Sequence, residues 1–308
     1  MGSGAGGAGG AGGSVGGAGG SAGSGIALPS CPAGWTEVFR DDFDSLDTTT
    51  RWQYYTGGEN HSQAYYLSDA ESVRVADGQL EIVTRRHCTD GNPQPDAASH
   101  PAPCPTGTAT KYSSGYLQSR GYHAPDRGRL IVLATLPPRQ RGLWPAIWLR
   151  NGRPWCTAGY GELDTMEWWY DDQNGDPIWQ QYTVTTHATC AGDQTKMDNS
   201  SYDPPGNTDM TTGPHVFETE WNSTEQWAKH YYRETVAAEP IEIASHTPAT
   251  IGVSSAEFDA AIGDDGGWQV RLNTQVVKPG YAWAGAADDT APFNDSTYHI
   301  DLVIVCAP

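Results

Sequence analysis

Short runs rich in Val, Ile, Thr, Tyr and Trp recur through most of the chain, and they constrain it to a β fold. Many of them alternate apolar and polar residues, which is the period of a strand with one buried face. The clearest runs are SVRVADGQLEIVTRR, YSSGYLQSR, GRLIVLATL, GLWPAIWLR, QYTVTTHATC, HVFETEWN and IDLVIVCAP. Clusters of Gly, Pro, Asn and Asp separate the runs, and only SSAEFDAAIG has the pattern of a short helix. The pattern predicts an all-β sandwich or barrel of many antiparallel strands.

The beginning of the chain differs in composition from the rest. Residues 1–28 are rich in Gly, Ala and Ser, so they have little to bury and we predict a flexible linker. No composition break divides residues 29–308, which suits one large all-β domain. Two Pro-rich loops, roughly 88–108 and 198–214, are expected to be surface excursions.

The charge balance limits the partners. The chain has 18 Lys and Arg against 37 Asp and Glu, a formal net charge of −19. Nucleic acid binding needs basic surface that replaces counterions, so the composition argues against that partner. A heavily sulfated polysaccharide is disfavoured by the same repulsion. We therefore expect a neutral ligand, no membrane span because no apolar run is long enough, and a monomer.

Six cysteines are spread along the chain without a C-x-x-C pair or His neighbours at zinc-ligand spacing. An even number with wide spacing fits disulfides in an exported protein, and the alternative is buried free thiols. The sequence leaves the connectivity open, although Cys88 and Cys104 bound the first Pro-rich loop and are expected to staple it. No signal peptide is visible. We expect a secreted or cell-surface-tethered protein whose export signal is absent from this chain.

The stretch GELDTMEWWY brings three acids together within six residues. Glu162 and Asp164 point to the same face of a regular strand, whereas Glu167 points to the opposite face. A β-bulge with one extra residue, Thr165 or Met166, would place all three carboxylates on one face. The longer second interval is therefore explained if the three acids share one site.

Carboxylates in this arrangement suit glycoside hydrolysis with retention. One carboxylate attacks the anomeric carbon and the other protonates the leaving oxygen, and the two must be roughly 5–5.5 Å apart. The strand must therefore curve toward the ligand. A third acid between them could accept or donate a hydrogen bond to one Glu and separate their pKa values. The residues alone equally allow a solvated acidic strand edge or a calcium site.

This stretch resembles the E-x-D-x-x-E signature of glycoside hydrolase family 16, in the laminarinase-type form that has the extra bulge residue. Further ordered segments resemble the same family: VFRDDFDSLDTTTRW, ESVRVADGQLEIVTRR, RGRLIVLATLPPRQRGLWPAIWLRNGRPW, HVFETEWN and LNTQVVKPGYAWAGAADDTAPF. The resemblance implies a β-jelly roll of two curved antiparallel sheets with a ligand cleft across the concave face. The segment from Arg233 to Trp268 has no counterpart that we can place.

The resemblance also implies roles for single residues. Glu162 matches the nucleophile, Glu167 the acid/base and Asp164 the assisting acid between them. His187, in TVTTHATC, matches a cleft histidine on the neighbouring strand, although an ordinary strand residue is the alternative.

Further positions are candidates for substrate contact. Trp144 and Trp148 are four apart on one strand face, where indoles can stack on sugars or pack in the core. Trp169 is expected on the cleft side and Trp168 in the core. In GENHSQAYYLS, Asn60 matches a family Asn of an early cleft loop, but Ser62 falls where Glu is expected.

Two more expectations follow from the resemblance. Asp42, the Gly78 carbonyl and Asp301 match a calcium site near the first and last strands, and they could equally be ordinary surface groups. In a jelly roll with neighbouring terminal strands, Cys31 can pair with Cys306. Cys156 and Cys190 flank the two strands of the site and can pair as well.

The function that we expect is retaining hydrolysis of internal β-1,3 linkages in a neutral, laminarin-like β-glucan, without an organic cofactor. One alternative is another family 16 specificity, for mixed-linkage β-glucan, agar or carrageenan. The other is a catalytically inactive glucan-binding lectin on the same fold.

Overall fold

The computed structural model describes residues 28–191, 194–263, 266–281 and 283–308. The predicted linker, residues 1–28, lies outside the described residues except for Leu28. The strands in the described part are β1 (Thr36–Asp41), β2 (Trp52–Tyr54), β3 (Gly57–Gly58), β4 (Ala64–Tyr66), β5 (Val73–Ala76), β6 (Gln79–Cys88), β7 (Thr110–Ser114), β8 (Tyr116–Ser119), β9 (Arg127–Thr135), β10 (Leu143–Asn151), β11 (Gly161–Trp168), β12 (Tyr182–Ala191), β13 (Gln194–Tyr202), β14 (His215–Asn222), β15 (Trp227–Arg233), β16 (Ile241–His246), β17 (Trp268–Val276) and β18 (Ser296–Ala307). The helices are α1 (Pro248–Ile251) and α2 (Ser255–Ile262), with one 3₁₀ turn at Pro205–Asn207.

The strands form two sheets in the described part of the chain. The eleven-stranded sheet has the order β16-β15-β14-β9-β18-β6-β7-β4-β3, with β1 beside β18 and β5 beside β6. The seven-stranded sheet has the order β13-β12-β11-β10-β17-β8-β2. The pairs are antiparallel except β4 and β7, which run parallel. The all-β prediction is confirmed.

The core lies between the two sheets, because the apolar positions of each alternating strand turn toward the other sheet. Buried side chains from both sheets form one large cluster, which includes Leu130, Val132, Ile147, Leu149, Leu163, Met166, Phe217, Trp221, Val270, Leu272, Ile300 and Val303. Burial of this apolar area stabilises the sandwich by about 25 cal/mol per Å². The other face of the seven-stranded sheet, here called the open face, is left for polar and aromatic side chains.

The segment from Arg233 to Trp268 adds an edge strand to the eleven-stranded sheet and packs its helices against the seven-stranded sheet. It forms β16, α1 and α2, and the short helix expected from SSAEFDAAIG is confirmed. Ser254 caps α2 and forms a reciprocal capping box with Glu257. The backbone of α2 approaches the start of β11 so closely that a Cβ at Gly161 would collide with the carbonyl oxygen of Ala261. The second Pro-rich loop begins later than expected, because β13 extends to Tyr202.

Three disulfides join all six cysteines. They are Cys31–Cys306, Cys88–Cys104 and Cys156–Cys190, so each predicted pair is confirmed. The first ties the approach to β1 to the last strand. The third ties the loop between β10 and β11 to β12.

A group of paired charges lies on the outer face of the eleven-stranded sheet, and we call it the outer charge cluster. The Glu218 side chain is fully buried there, and its Oε2 lies 2.6 Å from Nη2 of Arg129. Arg233 also pairs with Glu218. Glu220 accepts a hydrogen bond of 3.3 Å from Arg129 and lies 3.5 Å from Arg127. Two carboxylates are thus surrounded by three guanidinium groups.

Among the described residues, no helix is long and apolar enough to cross a membrane.

Candidate active site

A β-bulge in β11 gathers the three acids on the open face. Asp164 pairs with Thr185 of β12, and Glu167 pairs with Thr183, so two residues of β11 face one residue of β12. Thr165 and Met166 are both buried toward the core. This confirms the predicted bulge.

His187 stands beside the acids on the neighbouring strand, directly opposite Glu162. Its Nε2 lies 3.1 Å from Oδ2 of Asp164 and 3.5 Å from Oε1 of Glu162. Its Nδ1 lies 2.6 Å from the Thr195 hydroxyl on β13. The middle acid is therefore bonded to the histidine rather than to a glutamate.

Glu162 has a second partner that precedes it by two residues. The hydroxyl of Tyr160 donates to Oε2 of Glu162. The Tyr160 ring is fully buried, with Arg150 5.2 Å over its face and Trp155 at its edge with centroids 5.0 Å apart. The loop that carries Tyr160 and Trp155 is the one closed by Cys156–Cys190.

Glu167 is held from the adjacent strand. The indole N–H of Trp144 donates to its Oε1 at 2.9 Å. Trp144 lies on the predicted face but is only 7% exposed, with its ring crowded by Trp169 and Trp283. Its contact with the site is therefore a hydrogen bond, and little of its face is free for stacking.

Burial and crowding raise the pKa of two of the three carboxyl groups, Asp164 and Glu167. Desolvation and then the charge of Asp164 raise the pKa of Glu167 well above its usual range. Burial and then the charge of Glu162 raise the pKa of Asp164 to about 6. Burial lowers the pKa of His187, but its hydrogen bond to Asp164 and the negative charges around it bring the value to about 9. The site thus combines a Glu167 whose pKa is raised with a histidine that is protonated near neutral pH.

Trp148 occupies a separate place on the open face. It is half-buried, and its indole N–H donates to Oδ1 of Asn273 at 2.9 Å. Asn273 in turn donates to the Tyr66 hydroxyl at 3.2 Å. The Arg271 guanidinium lies 4.8 Å over the Trp148 ring. The indole is thus fixed by a polar network on the open face rather than buried between the sheets.

Trp169 lies on the open face, as expected, and Trp168 lies in the core with its N–H donating to the Trp179 carbonyl. Trp169 is 9% exposed and packs against Trp283 with centroids 5.0 Å apart. Trp283 is 41% exposed and stacks on Tyr281. An aromatic group therefore borders the Glu167 end of the site.

In the early loop, Glu59 rather than Asn60 contacts the polar network that fixes Trp148. The Asn60 side chain is exposed, and the Asn60 carbonyl accepts from Lys278. Its neighbour Glu59 lies 3.4 Å from the Tyr66 hydroxyl and 3.2 Å from His61. Ser62 is buried and accepts a backbone hydrogen bond from Val276. Ser62 therefore fastens the loop to β17.

The positions expected to bind calcium lie at the edge where β1, β6 and β18 meet. Asp301 is the extra residue of a bulge between Ile300 and Leu302. Its Oδ1 accepts from Gln79 at 2.7 Å, while its Oδ2 is buried without a hydrogen-bond partner among the described residues. Asp42 follows β1 and is half exposed beside Arg40, and Gly78 lies in the β5–β6 turn with φ of 74°. A partnerless buried carboxylate oxygen suits a hard cation.

Two other groups have metal-ligand spacing. The donor atoms of Glu162, Asp164 and His187 lie within 4.8 Å of one another, but both ring nitrogens of this histidine are engaged and its pKa is raised to about 9. His100 lies beside Cys88 and Cys104, and both sulfurs are in a disulfide. Neither group fits a metal as well as the acids fit general acid–base chemistry.

Several residues of the site escaped the sequence reasoning. They are Glu59, Tyr160, Asn273 and Trp283. Tyr160 lies two residues before Glu162, and this spacing alone predicts that the two side chains share a face of the strand. Glu59 and Trp283 belong to loops whose positions depend on contacts distant in sequence, so no local pattern points to them.

Comparisons with known proteins show similarity in sequence and in fold. The β-glucanase of Rhodothermus marinus is 30% identical to the chain over 201 residues, which cover 62% of this chain and 61% of the relative. The match therefore spans less than two thirds of that relative's length. A scan against models of protein families gives no match.

Solved structures share the fold over nearly the whole domain. The endo-1,3-β-glucanase of Streptomyces sioyaensis has a TM-score of 0.67 at 22% identity, covering 92% of this chain and 100% of its own. A non-specific endo-β-1,3(4)-glucanase from family GH16 has a TM-score of 0.64 at 21% identity, covering 92% and 98%. The β-jelly roll fold is confirmed, and so is the resemblance to family 16 endo-β-1,3-glucanases.

Proposed function

We propose that the protein is a retaining endo-glycosidase that hydrolyses internal β-1,3 linkages of a neutral β-glucan. The observation that carries the proposal is the bulge in β11, which turns Glu162, Asp164 and Glu167 to one open face. A strand that only exposed acids to solvent would need neither the bulge nor the buried partners of each carboxylate.

Glu162 is the proposed nucleophile. One of its oxygens accepts from Tyr160, which orients the carboxylate toward a sugar ring above the open face. Attack on the anomeric carbon forms a glycosyl-enzyme bond while the leaving oxygen takes a proton.

Glu167 is the proposed acid/base. Burial and the charge of Asp164 raise its pKa, which favours the protonated carboxyl that donates to the leaving oxygen. In the second step the resulting carboxylate takes a proton from the water that hydrolyses the intermediate. The N–H of Trp144 holds it in place through both steps.

Asp164 and His187 are the proposed electrostatic regulators of the two glutamates. Their hydrogen bond, with Nε2–Oδ2 at 3.1 Å, places a positive charge near Glu162 and a negative charge near Glu167. The negative charge of Asp164 raises the pKa of Glu167 and so favours the protonated form of the acid.

Exposed indoles at both ends of the acid row support a polysaccharide substrate. Trp155 is 53% exposed beside Tyr160, and Trp283 is 41% exposed beside Trp144. Flat sugar faces pack on such rings through C–H surface. Platforms on both sides of the cleavage point suit a long chain cut internally. Trp148 and Asn60 remain predicted substrate contacts.

We further propose that the protein works outside the cytosol. Three disulfides among its described residues require an oxidising compartment to persist.

We also propose a structural calcium ion held by Asp42, the Gly78 carbonyl and Asp301. Calcium should raise the melting temperature relative to EDTA, since a ligand that binds only the folded state stabilises it. Asp301→Asn should abolish that difference. An unchanged melting temperature in calcium would contradict the site.

The decisive experiment is a reducing-sugar assay on laminarin, lichenan, agarose and carrageenan, with Glu162→Gln as the matched inactive control. We expect reducing sugar to be released fastest from laminarin, and NMR should show β-anomers of the products at early times. Early α-anomers would rule out retention, and preference for another polymer would assign another family 16 specificity. Binding to laminarin without hydrolysis would favour the lectin alternative.

A further inference from the structure

Five buried polar side chains connect the two sheets directly beneath the bulge of β11, and we call them the buried polar chain. Two belong to the seven-stranded sheet and three to the eleven-stranded sheet. Each is at most 1% exposed, within an otherwise apolar core. They are Thr165, Thr186, Thr219, His230 and His246.

One end of the buried polar chain is Thr165, the residue that makes the bulge. The Thr219 hydroxyl donates to Oγ1 of Thr165 at 2.8 Å. Nδ1 of His230 lies 2.9 Å from the Thr219 hydroxyl and donates to it. The hydrogen bonds therefore run from the eleven-stranded sheet into the strand of the three acids.

The remaining bonds continue in the same direction. Oγ1 of Thr186 lies 3.3 Å from Nε2 of His230 and 2.9 Å from Nδ1 of His246. Ser200, near the surface, donates to Nε2 of His246 at 3.3 Å. All contacts are satisfied when both imidazoles are neutral with the proton on Nδ1, and burial indeed lowers the pKa of both histidines.

Burying polar side chains in an apolar core costs stability, so the position of the buried polar chain requires an explanation. A buried polar group must find partners or lose stability. Valine has the size and shape of threonine, and at position 165 it would need no partner. The core could therefore be filled without any of these hydrogen bonds.

The bulge in β11 explains why the buried polar chain is needed. In a regular strand, consecutive residues point to opposite faces, but Thr165 and Met166 both point inward. Met166 is retained by apolar packing in the main cluster. Thr165 is retained by the hydroxyl of Thr219. Without that bond, β11 could return toward regular alternation, and the next side chain to move would be Glu167.

We propose that Thr165 is a positioning residue for Glu167, and that the buried polar chain holds the bulge by bonding to the Thr165 hydroxyl. The inference rests on the proposed function, because it concerns the placement of the proposed acid/base. It predicts that a group with no access to the substrate controls the turnover and proton affinity of the site.

The test compares Thr165→Val with Thr165→Ser in the whole chain. Thr165→Val keeps the volume and loses the hydroxyl, so we expect kcat on laminarin to fall about 10- to 100-fold with little change in KM, since a misplacement near 1 Å has such effects. Thr165→Ser should restore most of the lost turnover. The high-pH limb of the rate profile should move to lower pH in Thr165→Val, because Glu167 becomes better solvated and its pKa falls.

Thr84→Val is the matched control. It removes another buried threonine hydroxyl, 3.0 Å from Ser114 in the eleven-stranded sheet, and has no contact with the bulge among the described residues. It should leave kcat and the pH profile unchanged. Equal kinetic losses in Thr84→Val and Thr165→Val would overturn the proposal.

A measurement without substrate separates this proposal from the proposed function. Carbon-13 NMR of labelled Glu side chains should show the Glu167 carboxyl titrating at lower pH in Thr165→Val than in the parent protein. If the parent hydrolyses none of the glucans yet this shift occurs, the proposed function fails and the positioning role stands. If Glu167 titrates unchanged, the positioning role fails whatever the activity. Thr219→Val removes the same bond from the other sheet and should give the same shift, should Thr165→Val not fold.

Discussion

Two groups of shielded carboxylates lie on opposite sides of the same sandwich, and they are balanced in opposite ways. In the outer charge cluster, Glu218 and Glu220 are matched by three arginines. On the open face, three acids share one histidine. Paired charges leave each carboxylate satisfied, whereas crowded like charges leave protons bound where they would ordinarily be lost.

The difference teaches what each group can do. The carboxylates of the outer charge cluster on β14 are held by ion pairs, which suits a structural role. An unmatched cluster on β11 is poised to change protonation, which acid–base chemistry requires. Both groups contain acidic residues, and the charges around them decide whether the role is structural or catalytic.

The largest expected effect comes from neutralising the acids of the open face. Glu167→Gln should lower kcat by about 10²–10⁴-fold, because a positioned general acid contributes that much, and Glu162→Gln should lose nearly all hydrolysis. Neither variant should melt lower than the parent, since each replaces a crowded carboxyl group with a neutral amide of the same size. Initial rates and melting curves test this. Near-parental activity in Glu162→Gln would show that the nucleophile is misassigned.

The corresponding experiment neutralises one carboxylate of the outer charge cluster, Glu218. Glu218→Gln removes the charge that Arg233 and Arg129 share, and Arg129 keeps only Glu220. The loss should cost about 3–5 kcal/mol of unfolding free energy, while kcat per folded molecule is unchanged. Urea unfolding measures the loss. Glu242→Gln, which breaks the exposed pair with Lys229 at 3.0 Å, serves as control and should cost under about 1 kcal/mol. A lower kcat in folded Glu218→Gln would show that the outer charge cluster also affects catalysis, which contradicts a purely structural role.

A smaller effect is expected when Glu162 loses its hydroxyl donor. A hydrogen bond to a charged group is worth about 1.5–3 kcal/mol, so Tyr160→Phe should lower kcat roughly 10- to 100-fold. Tyr298→Phe is the control, because the Tyr298 hydroxyl is buried without a hydrogen-bond partner among the described residues. Equal rates for the two variants would mean that Tyr160 only fills space.

The smallest expected change is a shift in pH dependence. Burial and then the charge of Asp164 raise the pKa of Glu167, so Asp164→Asn should lower that pKa. The high-pH limb of the rate profile reports loss of the Glu167 proton and should therefore move to lower pH. Turnover should fall less than in either glutamate variant. A limb that stays in place would mean that burial alone sets the proton affinity.

The fold and the centre of the site could be predicted because they depend on local patterns. Period-two alternation fixes which side chains of a strand share a face, so Trp144 and Trp148 were correctly placed together on the open face. The interval between Asp164 and Glu167 requires a bulge if all three acids face one way. Bonding between Cys88 and Cys104 follows from the loop that they bound.

The rest depended on contacts between distant parts of the chain. Trp144 was expected to stack on sugar, but the loop carrying Trp283 covers its ring, and no local pattern reports where that loop lies. Glu59 reaches Tyr66 while Asn60 points outward, because the turn geometry of the loop decides between neighbours. The buried polar chain joins strands far apart in sequence, so a lone threonine or histidine in each carries no signal.

The bond between Cys31 and Cys306 has a mechanical consequence. It ends in β18, which is flanked by β1, β6 and β9 within the eleven-stranded sheet. A pull on the chain ahead of Cys31 is therefore transmitted through a covalent link into an interior strand, instead of peeling β1 from the edge one hydrogen bond at a time. Force applied there would load β18 and its neighbours together, and reduction of the disulfide would leave β1 held to β18 by backbone hydrogen bonds.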